Sequence, residues 1–394
     1  MASKSLRVAM LAPPWLPIPP NGYGGIENVL DALIPELLKL GVKVELFTVG
    51  ESTVKATKTH WLYEKGQYEH IQKPAYDSAI ISVTHMQFAL NAIERDGNFD
   101  IIHDHTVVLG PMALANLSDG FPPVLHTLHN PPFTTPAATK QGIPDNVAMW
   151  EQFENTKKLY FTCISKAMTT HAPPSFRKRM LPVVYNTVNI CDFPFLEKKE
   201  DYFITFARFH PDKGQAQAVH ACLELDVPLK MAGAVAGITK QRKVLMELAN
   251  PLSAYRSLLD FRYFSDQIFP YLDDGRIEHV GELAGQAKCT FMARAKALLA
   301  PIQWDEPFGM ATVEALACGT PVVAINRGAM PEIIKHGVNG FLANNMRDFK
   351  RYMRRVDEID PAACRASVEK VFSARNIATQ YLQRYRTIVG KHKK

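Results

Sequence analysis

Residues 306–324 read EPFGMATVEALACGTPVVA, and they hold more positional information than any other stretch of the chain. Just before them ALLAP (297–301) is a short apolar run closed by proline, the pattern of a buried strand. The loop IQWDEP follows. From Phe308 the spacing predicts a helix: Ala311, Ala315, Leu316 and Ala317 are good helix formers, and Gly319 and Pro321 stop it. Residues 322–325 then read as the next buried strand. Strand, loop, helix, strand is the repeat of an open parallel sheet, where the loop at a strand's carboxyl end faces the ligand crevice.

Two glutamates mark this repeat, Glu306 in the loop and Glu314 in the helix, with seven residues between them. On one continuous helix they would stand about 12 Å apart along the axis. The loop lets Glu306 fold back over the helix start instead. Between them the amides of Phe308, Gly309 and Met310 lie at a helix amino terminus, which favours an anion, and Gly309 permits close approach. Carboxylates for hydroxyls and amides for a phosphate match the groups of a nucleotide sugar. Taken alone, an E-x7-E pair reads as two solvated residues around an ordinary helix. The whole string, however, resembles the acid-x7-acid signature of the family 4 retaining glycosyltransferases. That resemblance implies the GT-B fold, with Glu314 on the ribose hydroxyls and Glu306 on the transferred sugar.

The composition bounds the reading. A chain of 394 residues, 47% apolar, suffices for two domains with separate cores. No apolar run reaches membrane-span length, and MASKSLRVAML lacks the apolar core of a secretory signal, so cytoplasmic residence is expected. Six scattered cysteines with no C-x-x-C pair suggest reduced thiols rather than a disulfide frame or zinc site. The net charge of +6 falls entirely after residue 185, because residues 1–185 hold sixteen basic and sixteen acidic side chains. A basic second half suits a diphosphate ligand. It is too dilute for nucleic acid, and the neutral first half weakens, without excluding, peripheral membrane docking.

Earlier in the chain, RVAMLA (7–12) reads as a first strand, and PPNGYGGIEN leads into a helix with Val29, Leu30, Leu33, Leu37 and Leu38 at helical spacing. The glycines do not match G-x-G-x-x-G, so by themselves they mark no more than a tight turn. YGGIE resembles the amino-terminal glycine loop of the family, which implies that Gly24 and Gly25 lie against the diphosphate. DIIHDH (100–105) and VLHTLHN (124–130) are two further strand ends. His103, His105, His126 and His129 fit no usual zinc spacing, and hydrogen-bonded core or rim histidines are expected for His103 and His126. LHNP resembles a strand end that presents His129 to the donor sugar. The segment 131–146, PPFTTPAATKQGIPDN, reads as a lid or acceptor-binding surface, with disorder as the competing account.

VVYNTVNICDF (183–193) resembles the family's crossover into a second domain, with Thr187 where glycine is usual; the turn must avoid positive φ there or bear strain. The strand 202–207 is followed by RFHPDKGQ. Arg208 and Lys213 at a strand end can grip a diphosphate, the arginine as a fork and the lysine as a point charge, although a solvated basic loop has the same composition. The string resembles the family's G-R-x-x-x-x-K-G element, with Ala207 in place of glycine, where a methyl threatens to crowd backbone or ligand. Residues 238–276 predict a long helical stretch, an embellishment or an oligomer contact. RIEHVGEL (276–283) should bring Gly281 and Glu282 to the nucleotide base, largely through backbone groups. In the last helix Ile377, Tyr381, Leu382, Tyr385 and Ile388 share a face.

The fold expected is thus α/β, two Rossmann-like domains of GT-B type facing each other across a cleft: residues 1–185 on the acceptor side, 186–374 holding the nucleotide sugar, and a helix of about 375–394 returning to the first. The reaction implied is retaining transfer of a hexosyl group from a nucleoside diphosphate sugar, a UDP-sugar first, to a hydroxyl of a small molecule, lipid or glycan. Its front-face route uses no metal and no cofactor. His129, Arg208, Lys213 and Glu306 would carry catalysis, and Gly24, Gly25, Gly281, Glu282, Phe308, Gly309, Met310 and Glu314 would bind the donor. Three alternatives stand beside it: a phosphorylase with a pyridoxal-phosphate lysine, a nucleotide-sugar epimerase, and a sugar-nucleotide binding protein without activity. Base, sugar, acceptor and oligomeric state are not legible.

Overall fold

The computed structural model describes residues 5–392 except 23, 72–74, 108, 131–132, 135–138, 141–144, 154 and 171. Most of the segment 131–146 therefore lies outside the described residues, and the lid expectation with it. The chain divides into two units, residues 1–188 with 373–394 and residues 189–372. Each is built on a six-stranded parallel sheet.

In the first unit the strands are β1 (Arg7–Leu11), β2 (Lys43–Thr48), β3 (Lys58–Trp61), β4 (Ile101–Asp104), β5 (Val124–Leu128) and β6 (Leu159–Cys163), in the order β3-β2-β1-β4-β5-β6. The central strands β4 and β5 are buried at every position, as sheets covered on both faces require. Edge strand β3, KTHW, has no fully buried residue and gives no apolar signal, which is why no strand is predicted there. The helix Gly25–Lys39 buries Val29, Leu30, Leu33 and Leu37. The helix Ala374–His392 packs into the same core through Ile377, Tyr381, Leu382, Tyr385 and Ile388, so the last helix of the chain belongs to the first unit. Another helix runs Ala75–Asp96.

The second unit has β7 (Phe203–Phe206), β8 (Leu229–Ala232), β9 (Ile277–His279), β10 (Ala297–Ala300), β11 (Val322–Ile325) and β12 (Gly340–Ala343), ordered β12-β11-β10-β7-β8-β9. The long helix expected over 238–276 is instead broken into helices Gln241–Ala249 and Leu259–Gln267 with 3-10 turns between and after them. Pro251 and Pro270 explain the breaks, since proline lacks the N–H that a continuing helix needs. The segment is part of the unit's own core: Phe261 and Phe264 are fully buried, and Phe264 packs edge-on against Phe209 with ring centroids 4.8 Å apart.

The two departures from the family pattern are accommodated without strain. Neither Thr187 nor Ala207 has positive φ. At the second site the crowding falls on Gly233, where a Cβ would stand 1.9 Å from the Ala207 carbonyl oxygen. The glycine demanded by that close approach is thus Gly233, in the loop after β8, and not residue 207.

Candidate active site

The strand order decides which loops meet. In each sheet it reverses once, between β1 and β4 in the first and between β7 and β10 in the second, and loops leaving the carboxyl ends of such a pair diverge to opposite faces and open a crevice. In the second unit these loops carry Arg208 and Lys213 after β7, and Glu306 after β10.

They are tied together by the Gln303 N–H, which donates to the Asp212 carbonyl at 2.7 Å. Gly214, with φ 72°, turns the β7 loop into the helix Gln215–Leu225; a Cβ there would stand 1.9 Å from the Pro301 carbonyl, so only glycine lets the loops close. The result is that Lys213 Nζ donates to Glu306 Oε2 at 2.6 Å. Trp304 Nε1 donates to the same oxygen at 2.9 Å, and the ammonium sits 4.7 Å from the Trp304 ring centroid. Both charged side chains are mostly buried, at 19% and 13% exposure. Trp304 stands in plain view in IQWDEP, yet nothing in the sequence distinguishes it from a loop aromatic.

The helix expected from Phe308 runs Met310–Ala317, with Gly309 as its left-handed cap at φ 93°. Glu306 does fold back over its start: its Cγ is 3.7 Å from where a Gly309 Cβ would be. The Phe308 ring is in the core against Phe372, so only its backbone is available to a ligand. The amides of Gly309 and Met310 occupy the first turn, where helix geometry leaves N–H groups unpaired. At the other end Lys199 donates to the Cys318 carbonyl at 3.1 Å and Arg365 to the Ala317 carbonyl at 2.6 Å, two cations on the negative end that fix the helix axis. Burial lowers the Lys199 ammonium to about 8.

Glu314 is buried and does not share a cation with Glu306. Its Oε1 accepts from Lys288 Nζ at 2.9 Å, a partner from the helix Gly285–Arg294 that the sequence reading did not find. Arg208 is half exposed and donates to Asp260 Oδ2 at 3.0 Å; an exposed pair of this kind holds by less than about 1 kcal/mol and leaves the fork available. Gly281 and Glu282 lie beyond β9, where the Gly281 carbonyl accepts from Gly233 N–H at 2.9 Å and Glu282 N–H donates to the Thr239 carbonyl at 2.9 Å.

In the first unit Gly24 caps the helix Gly25–Lys39 and is needed for packing, since a Cβ would meet Pro20 at 2.7 Å; Gly25 has open space around it. Glu27, two residues on, is buried with no counter-ion among the described residues, and burial raises its carboxyl to about 7. A carboxyl raised on folding binds more protons in the folded state between about pH 4.5 and pH 7, so its contribution is lost as pH climbs through that window. The penalty at pH 8 is at most about 3 kcal/mol. Glu27→Gln is therefore expected to raise the melting temperature at pH 8 and leave it unchanged at pH 4; equal shifts at both would remove the proton from the explanation.

His103, His105 and His126 are buried, and His129 is partly so. His126 Nδ1 donates to Asp104 at 2.6 Å on one face of the sheet. On the other, His105 Nδ1 lies 2.8 Å from His129 Nε2, and burial with His126 nearby lowers His129 to about 3. No disulfide joins the cysteines among the described residues, and five of the six are buried.

Comparison with known proteins supplies the family. The model for Glycosyltransferase Family 4 matches residues 23–190 and that for Glycosyl transferases group 1 matches 192–363. The fold class is that of GT-B glycosyltransferases, two Rossmann-like units, and the chain belongs to glycosyltransferase family 4. It is similar to the D-inositol 3-phosphate glycosyltransferase of Mycolicibacterium smegmatis, with 24% identity over 92% of this chain and 86% of the relative. Among solved structures it resembles the sucrose-phosphate synthase of Thermosynechococcus elongatus, with 17% identity, TM-score 0.73 and coverage of 98% and 100% of the two chains. It also resembles Anabaena HepE in complex with UDP and glucose, with 18% identity, TM-score 0.65 and coverage of 97% and 100%. No helix among the described residues is long and apolar enough to cross a membrane.

Proposed function

We propose that this glycosyltransferase moves a hexosyl group from a nucleoside diphosphate sugar, a UDP-sugar first, to a hydroxyl acceptor with retention of configuration. The carrying observation is the Lys213–Glu306 pair at the strand-order reversal of the second unit, beside the amides of Gly309 and Met310 at a helix start. Lys213 and Arg208 take the diphosphate, the amides add their dipoles, Glu306 contacts the sugar, and Glu314 takes the ribose hydroxyls. Gly281 and Glu282 serve the base. On the first unit His129 contacts the donor sugar, with Gly24 and Gly25 against the diphosphate, and the acceptor binds there.

In the front-face route the acceptor oxygen forms a bond to the anomeric carbon on the side from which the diphosphate leaves. The acceptor's proton passes to the departing phosphate oxygen. Catalysis is then positioning plus stabilisation of the charge that grows on that phosphate. Glu306 and Glu314 act as binding groups rather than as a hydrolase's acid and base. The scheme calls for no metal or cofactor, and the reading is of a cytoplasmic enzyme.

A panel of UDP-, GDP- and ADP-sugars, with and without simple acceptors, tests the proposal by release of nucleoside diphosphate. Release from one donor class, unchanged by a chelator, is the expected result. Chelator-sensitive release would overturn the metal-free scheme, and donor binding without consumption across a broad acceptor set would count against transfer.

A further inference from the structure

One face of the first sheet is polar where it meets the C-terminal helix. His103 and Thr127 are fully buried there beneath Tyr381 and Tyr385. Buried polar groups are hydrogen-bonded as a rule, and a neutral imidazole has one N–H and one lone pair, so the directions can be worked out ring by ring.

Tyr385 is completely buried, and its hydroxyl lies 2.6 Å from His103 Nδ1, its single acceptor among the described residues. The phenol therefore donates and Nδ1 accepts. His103 must then carry its proton on Nε2, which donates to Thr127 Oγ1 at 2.9 Å. His105 Nε2 is 3.2 Å from the same Nδ1, which has no proton to give, so the proton between them belongs to His105 and shares that lone pair as the longer arm of a three-centre bond. That leaves His105 Nδ1 bare, and it accepts from His129 Nε2 at 2.8 Å. Burial keeps all three rings neutral by pushing each below the ordinary histidine range.

We propose that Tyr385 on the C-terminal helix sets the tautomer of His129 through His103 and His105, so that His129 keeps its proton on Nε2 and offers a bare Nδ1 as acceptor to a hydroxyl of the donor sugar. The sugar contact rests on the functional reading above; the tautomer does not. Tyr385 is a positioning residue, acting on the site through two side chains that touch no substrate. The hydrogen bond on one ring nitrogen determines what the other presents. His129 accordingly selects a donor that brings an O–H to it, and replacing that hydroxyl by fluorine or hydrogen removes the contact.

The test is nitrogen NMR of the full-length protein labelled with 15N-histidine, without donor, with the His129 signals assigned from His129→Gln. Ring shifts distinguish a protonated from a bare nitrogen. The expected result is the Nε2–H tautomer for His129 in the parent and a substantial Nδ1–H population in Tyr385→Phe, whose ring keeps its packing. An Nδ1–H tautomer in the parent overturns the proposal without any variant, and an unchanged tautomer in Tyr385→Phe overturns the part assigned to Tyr385. Kinetics on the same variant are expected to show kcat/KM for the donor lower by up to about tenfold, the worth of one neutral hydrogen bond, with acceptor KM unchanged. A shifted tautomer with parental kinetics would uphold the relay and overturn the donor contact of His129.

Discussion

Lys213→Ala is expected to lower turnover by roughly 10²–10³-fold, the range seen when one preorganised donor to a developing anion is removed. The reason lies in where charge grows. As the glycosidic bond breaks, the leaving diphosphate gains negative charge, and a point cation fixed beside it costs nothing to reorganise at that moment. Lys213 is fixed twice, by Glu306 at 2.6 Å and by the face of Trp304. The same substitution leaves Glu306 with Trp304 Nε1–H as its remaining side-chain donor among the described residues, and losing a charged bond at a mostly buried carboxylate costs about 1–3 kcal/mol of stability. Both losses must therefore be measured, turnover at saturating donor and unfolding by denaturant. A Lys213→Ala protein that is folded and turns over like its parent would remove the lysine from the diphosphate. Lys213→Arg separates the two effects, since it keeps the charge and changes the shape.

The second large effect is expected at Glu314. Glu314→Ala should weaken binding of the nucleoside diphosphate about 10- to 150-fold, the equivalent of a charge-assisted hydrogen bond of about 1.5–3 kcal/mol to the ribose. Here the alternative is concrete, because the carboxylate already serves Lys288 at 2.9 Å. If Glu314 did no more than neutralise that lysine, the calorimetric affinity of Glu314→Ala would match the parent's and only its stability would fall. Lys288→Met supplies the contrast: it removes the cation and leaves the carboxylate for the ribose. Weak nucleotide binding by the glutamate variant alone supports the ribose contact, and equal weakening by both would assign the effect to the pair.

The sequence and the structure agree best where local chemistry was complete within one stretch. Strand, loop, cap and helix around Glu306–Ala324 lie within about thirty residues, and β11 falls on residues 322–325 as expected. Pairings across the sheet were hidden, because residues 213 and 306 meet only once β7 and β10 are known to be neighbours. The histidines show the same limit. Within β4 the alternation of His103 and His105 is legible, but the register that sets His103 beside Leu125 and Asp104 beside His126 is not. That register places Thr127 and His129 with His103 and His105 on one face, and Asp104 with His126 on the other. Tyr385, some 250 residues beyond His129, gives no local sign that it belongs with them. Edge strand β3 and the proline-broken segment 238–276 were missed for a different reason: one lacks an apolar face, and in the other helical periodicity continued across prolines that end the helices.

Val188 and Ser373 pair as a parallel bridge, so the chain leaves the first unit and returns to it through adjacent strands of backbone. The second unit, residues 189–372, is thus an insertion whose flanking residues, Val188 and Ser373, stand about one inter-strand spacing apart. Such an arrangement makes the segment modular at the level of the gene. Residues 189–372, with a sheet and core of their own, form a segment that can be exchanged for a homologous insert while a short linker rejoins the remaining ends.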